Sequence, residues 1–189
     1  MAGSLSLKLN MTIHYATPFS IEKNIGKAYN EYMETIPDGD WVCIRDGDSL
    51  FMTPDWGKQI ADIIERHGND FKLISCTTNR LRGKHQLYQN TFSEEPNISK
   101  HVQIANHLHE DYYDEVQATM SIAGLCMIFN KDTWKHCNFK EHSIHFDSEF
   151  CLDIRNKGGK IGIAKGLYLF HLYRWGQQDP KSYIKHLQP

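Results

Sequence analysis

Apolar and polar positions along this chain follow two periods, and the switches between them mark its elements. From Ser20 the apolar residues Ile21, Ile25, Ala28, Tyr29, Tyr32, Met33 and Ile36 recur about every 3.6 positions, which predicts a helix with one buried face. Pro37-Asp38-Gly39 stops it. Met11 to Ala16 reads as a preceding strand closed by Thr17-Pro18, and Trp41 to Arg45 as a following one. Thr53-Pro54 supplies a cap and a proline at the first helical position, opening a helix that buries Trp56, Ile60, Ile63 and Ile64 and ends near His67-Gly68.

Phe71 to Cys76 is the next strand. Residues 78–100 show no period and carry Arg80, Arg82, Lys84 and His85; a stretch of that length reads as a mobile or acceptor-binding loop. Residues 101–115 read as a short helix, and Ala118 to Phe129 as a strand interrupted at Ala123-Gly124. A helix from Asp147 to Asn156 turns Phe150 and Ile154 to one side, Gly158-Gly159 ends it, and Lys160 to Tyr173 forms a last apolar strand. Residues 174–189 are left as a C-terminal tail. Strands alternating with helices predict one α/β domain, a sheet with helices on its faces.

Composition narrows the function classes. A chain of 189 residues is long enough for one well-buried domain and short for two. Its formal net charge of −2 supplies no general affinity for nucleic acid. No apolar run approaches the roughly 20 residues of a membrane span, and M-A-G-S-L-S-L-K-L-N lacks the apolar core of a secretion signal. Five cysteines without a C-x-x-C pair fit reduced thiols in a cytoplasmic protein, with Cys43, Cys76 and Cys126 in apolar runs as small buried hydrophobes. The histidine clusters His101, His107, His109 and His136, His142, His145 lack zinc-site partners and read as polar loop residues.

The chemistry concentrates at I-R-D-G-D-S, where a buried strand ends in Asp46 and Asp48. Alternate strand residues share a face, so both carboxylates project together at the carboxyl end of the sheet, where ligands of such folds bind. A hard divalent cation would relieve their repulsion. A solvated D-G turn would explain them equally well.

I-R-D-G-D-S-L-F-M-T-P-D-W resembles the metal-binding segment of GT-A-fold glycosyltransferases, most closely family 2, and N-I-G-K-A-Y-N-E resembles the helix that precedes it there. S-I-A-G-L-C-M-I-F-N-K-D-T-W is similar to the wall of that family's acceptor site. F-K-E-H-S-I-H-F-D-S-E-F-C-L-D-I-R-N-K-G-G-K-I is similar to its acidic helix, with Phe146 at the first acidic position. L-Y-L-F-H-L-Y places His171 where many members have a metal-binding histidine.

The resemblance runs from Asn24 to Tyr173 and implies a single-domain, GT-A-like (Rossmann-like) mixed sheet flanked by helices. It implies transfer of a sugar from a nucleoside diphosphate donor, a UDP-sugar foremost, to a carbohydrate or other hydroxyl acceptor, with inversion. Mn²⁺ or Mg²⁺ would be held by Asp48 and His171, with Asp46 on the ion, its water or the ribose. Thr17, Pro18, Asn24 and Asn30 would face the nucleotide, and Asp147, or Glu149 in its place, would be the catalytic base. Family members usually carry a further strand and helix where this chain passes directly through Thr17-Pro18-Phe19, so the base pocket is abbreviated.

From the residues alone, Asp147 is equally a helix N-cap, His171 a buried structural histidine, and Arg80, Arg82 and Lys84 either a diphosphate clamp or a solvated basic loop. Tyr173 and Trp175 can stack on a sugar or simply pack. Two rivals remain: a nucleotide-sugar-binding module without turnover, and a haloacid-dehalogenase-like phosphatase with Asp46 as nucleophile and Lys165 as its lysine.

Overall fold

The computed structural model describes residues 12–172. Seven strands form one mixed sheet: β1 (Ile13–Ala16), β2 (Trp41–Arg45), β3 (Ser49–Phe51), β4 (Phe71–Thr78), β5 (Val116–Thr119), β6 (Cys126–Asn130) and β7 (Lys160–His171). The order is β1-β2-β6-β4-β7-β3, and β5 also pairs with β7. The helices are α1 (Ile25–Glu34), α2 (Trp56–His67), α3 (Ile98–Tyr112), α4 (Lys131–His136) and α5 (Phe146–Asn156). This is the α/β, Rossmann-like arrangement expected, a mixed sheet flanked by helices in one domain.

β1 and β2 pair in parallel, as do β4 and β7, while β6 runs antiparallel between β2 and β4. The carboxyl ends of β1, β2, β4 and β7 therefore share one edge, together with the start of β6. Alternation along the strands serves two apolar layers. Val42, Ile44, Met127 and Phe129 face α1 and α5, packed with Tyr29, Met33, Phe150 and Ile154. Trp41, Cys43, Cys126 and Ile128 face α2, packed with Ile60, Ile63 and Ile64. All five cysteines are buried and free.

Several local expectations are corrected. α1 starts at Ile25, not Ser20, because the Asn24 side chain caps it by accepting from the Lys27 amide, and Lys23 adopts a left-handed φ of 59°. Ile21 is consequently 88% exposed instead of belonging to the buried face. The stretch from 118 to 129 is two strands in different places: β5 pairs with β7, and β6 with β2 and β4. The helix expected over 101–115 starts earlier, at Ile98; between β4 and it, Gln86 and Leu87 are buried while most of residues 81–97 are exposed or half-buried.

His101 is a core residue and not part of a polar loop. It is fully buried, shares a 2.8 Å hydrogen bond with the Tyr168 hydroxyl and lies 2.7 Å from the Glu95 carbonyl. The cap before α2 falls at Asp55 rather than Thr53. Tyr173, Trp175 and the 174–189 tail lie outside the described residues.

Gly26 fixes how close α1 can lie to the chain near Lys140. An added Cβ there would sit 2.3 Å from the Lys140 carbonyl oxygen. Alanine favours helices over glycine by about 1 kcal/mol, yet Gly26→Ala is expected to destabilise the fold by about 1–3 kcal/mol through this clash. Chemical denaturation measures it, and a variant as stable as the parent would show that the segment yields freely.

Candidate functional site

Asp46 and Asp48 leave the end of β2 in a turn rather than in a continued strand. Arg45 and Ser49 brace that turn. Arg45 Nη1 donates to the Ser49 carbonyl at 2.6 Å, and the Ser49 hydroxyl donates to the Asp46 carbonyl at 2.6 Å. β3 then pairs antiparallel with the end of β7, setting Ser49 opposite His171, and the Leu172 amide donates to the Asp48 carbonyl at 2.8 Å. The register therefore brings Asp48 to His171.

His171 is buried, and the dipeptide after β4 holds it from behind. The Asn79 side chain accepts from the His171 amide at 2.8 Å and donates to its carbonyl at 3.2 Å, as a neighbouring strand would. His171 Nδ1 lies 2.9 Å from the Arg80 carbonyl oxygen, which can only accept, so Nδ1 carries a proton. Nε2 consequently faces Asp48 Oδ1 at 3.4 Å and Asp46 Oδ2 at 3.9 Å.

Donor atoms of Asp46, Asp48 and His171 all lie within 4.8 Å of one another. Bonds of about 2.1 Å would put two donors on one ion roughly 3–4 Å apart. Two carboxylate oxygens and an oriented imidazole nitrogen fit a divalent cation, which would also remove the carboxylate repulsion. The two readings of the D-G-D stretch are thus compatible: it is a turn, and it completes a group able to bind metal.

This group opens into a cleft of about 840 Å³ beyond the strand ends. Thr17, Pro18, Ile25 and Tyr29 line one side, and Arg82 and His85 another. Ser121 to Leu125 and Ile144 to Ser148 close it. Asp147 enters from the first turn of α5, Oδ2 accepting from the Gly124 amide at 2.8 Å and Oδ1 from the Ser148 amide at 2.7 Å. His145 takes the capping position, so Asp147 is not the N-cap. Gly124 allows the close approach of α5, since a Cβ there would lie 3.3 Å from Asp147 Cβ.

Other expected site residues fall elsewhere. Asn24 caps α1 and accepts from the His142 amide at 2.9 Å. Asn30 accepts from Trp134 Nε1 and the Phe139 amide and donates to the Phe139 carbonyl. Neither asparagine lines the cleft; both tie α1 to the chain before α5. Glu149 also lies off the cleft, with Oε2 buried and without a hydrogen bond among the described residues.

Arg80 is buried and paired with Glu94 at 2.8 Å, so it is neither a clamp nor solvated. Lys165 lines a separate depression with Thr77, Leu87 and His107, away from Asp46. Sequence reasoning missed Asn79. Its one signal was a polar T-T-N-R run directly after an apolar strand; the Arg80 carbonyl has no side-chain signature at all.

No family model matches this chain, and no curated protein matches it either. Among the described residues, no helix is long and apolar enough to cross a membrane.

Burial pushes the Asp46 carboxyl up to about 6 from an ordinary value near 3.8; Asp48 and Asp147 push the same way, and His171 opposes them. Holding Asp46 ionised therefore works against the fold. The stabilisation of its neutral form is full below the ordinary value and is lost as pH rises through about 6. Its solvent-exposed edge screens much of this, leaving about 1 kcal/mol. In chelator-treated protein, Asp46→Asn is expected to raise Tm by about 2–4 °C at pH 8 and hardly at all at pH 4. Equal effects at both pH values in melting curves would contradict the assignment. Asn79 fixes the His171 main chain and not its ring. Asn79→Ala should therefore weaken the affinity for a divalent cation, with Mn²⁺ as the probe, by about tenfold, the low end of the losses for outer partners of a metal ligand. Titration followed by the Mn²⁺ paramagnetic signal reads it, and unchanged affinity would leave Asn79 a structural role only.

Proposed function

We propose that the chain is a metal-dependent glycosyltransferase, moving a sugar from a nucleoside diphosphate donor, a UDP-sugar foremost, to an acceptor hydroxyl with inversion. One observation carries the reading: Asp46, Asp48 and His171 share a single cleft at the strand ends with a separately held carboxylate, Asp147. Two acidic functions in one cleft, one of them joined to an imidazole, suit a reaction in which an anion leaves while a hydroxyl loses a proton. The likeness of I-R-D-G-D-S and of the α5 segment to family 2 enzymes points the same way.

Asp46, Asp48 and His171 would hold Mn²⁺ or Mg²⁺, which when bound supplies positive charge to the departing diphosphate. Arg45 and Ser49 keep the aspartate turn rigid. Thr17 and Pro18 form the nucleotide side of the cleft, abbreviated because α1 follows them so soon. Asp147 accepts the proton of the acceptor hydroxyl. Its two backbone hydrogen bonds fix the carboxylate while leaving lone pairs for that proton. Glu149 is set aside as base by its position off the cleft.

The phosphatase alternative needs a lysine beside Asp46, and Lys165 is directed elsewhere. A binding module without turnover would use the same cleft, and the following experiment separates it from the enzyme. A nucleotide sugar at 100 times its Kd, with Mn²⁺, should add about 2.7 kcal/mol of stability, roughly 5–10 °C in Tm. The shift should vanish in Asp48→Ala. Asp147→Asn should keep the shift but lower transfer, or donor hydrolysis, about 10²–10⁴-fold. No nucleotide-dependent shift in the wild type would refute the reading, and a shift without any turnover would favour the binding module.

A further inference from the structure

The Tyr29 hydroxyl is a polar group of the cleft that the carboxylate-imidazole cluster does not use. The residue is 2% exposed, and its ring is held edge-on against Phe139 at 5.2 Å and Phe146 at 5.4 Å. α1 presents it to the same cleft as Asp46 and Asp147. Phenols packed into a core normally find a hydrogen-bond partner, yet among the described residues the Tyr29 hydroxyl makes no hydrogen bond, and it is not sealed off, so it stays reachable from the cleft. Burial pushes the phenol well above its usual range, and the Asp46 and Asp147 carboxylates add to that. The group is therefore a neutral donor, set within the fields of two carboxylates and bonded to neither.

Those fields select the oxygen that Tyr29 can serve. An anionic phosphate oxygen would be repelled by Asp147, and in this reading its place is on the ion at Asp46, Asp48 and His171. A hydroxyl oxygen is neutral, accepts from the phenol and can turn its own hydrogen toward a carboxylate. The exposed Phe19 and Ile144, also lining this cleft, add apolar surface suited to the C–H face of a sugar ring.

We propose that Tyr29 is a specificity-determining residue whose hydroxyl donates to one hydroxyl of the sugar carried by the donor, and not to its diphosphate or base. This rests on the glycosyltransferase reading above. Tyr29→Phe removes the donor and keeps the ring, so its packing survives; a Tm within a few degrees of wild type checks that.

The test is calorimetric titration of the full chain with Mn²⁺ against UDP-glucose, UDP-N-acetylglucosamine and GDP-mannose, each beside its matching diphosphate, UDP or GDP. For any sugar nucleotide the wild type binds, Tyr29→Phe is expected to raise Kd about five- to tenfold, the effect of one lost hydrogen bond. The Kd of the matching diphosphate should change less than twofold. Equal weakening of both would move Tyr29 to the nucleotide and overturn the proposal, as would no weakening of either. Monodeoxy analogues of the bound sugar nucleotide give a second reading on wild-type protein: one of them should show the same loss, and a series that binds uniformly would overturn the assignment. Wild-type protein that binds neither diphosphates nor their sugars would end the glycosyltransferase reading and this one together. Intact binding that is indifferent to Tyr29→Phe would end only this one.

Discussion

The hydrogen bond from His171 Nδ1 to the Arg80 carbonyl is the constraint on which the cleft depends. It fixes the tautomer, and with it the direction in which the second ring nitrogen faces. Were the ring free to turn, Nε2 would have no reason to point at Asp46 and Asp48. One backbone atom and one side chain supply the restraint: the Arg80 carbonyl behind the ring, and the Asn79 side-chain amide bridging the His171 peptide group as an extra strand would. A buried imidazole held in this way moves little, and such rigidity favours a site that must meet charge without rearranging.

Opposing tendencies meet at the carboxylates. Asp46 is partly withdrawn from water and close to Asp48, which favours its neutral acid, while the histidine beside it favours the charged form. A divalent cation would resolve that conflict in favour of charge, so the same opposition makes the group receptive to one. The sheet tolerates the conflict because it falls beyond the strand ends. The apolar layers built from Val42, Ile44, Ile60 and Phe129 carry stability in the interior and are untouched by it.

Legibility in the sequence was uneven, and for physical reasons. Helix α2 stood out by its helical period, and strands β2 and β4 as continuous apolar runs bounded by turn residues. The start of α1 did not, since Ile21 continued the period and only the Asn24 cap ended it. The stretch holding β5 and β6 read as one strand because nothing local says which neighbour each half will pair with. His101 read as a loop histidine because its partners, Tyr168 and the Glu95 carbonyl, come from distant or main-chain positions. Asn24 and Asn30 matched a family pattern in type and spacing, but their amides hold α1 to the chain before α5.

The sequence by itself determined the alternation of elements, the α/β class and the two aspartates at the end of a buried strand. These depend on residues within a few positions of one another, where periodicity and turn chemistry act. Only the tertiary structure decided that Asp46 and Asp48 meet His171, that Asp147 and Tyr29 share their cleft, and that Glu149, Asn24 and Asn30 stand outside it. That choice was made by the pairing of β3 with β7 and by the amide of Asn79, contacts between segments far apart in the chain, whose geometry no local pattern encodes.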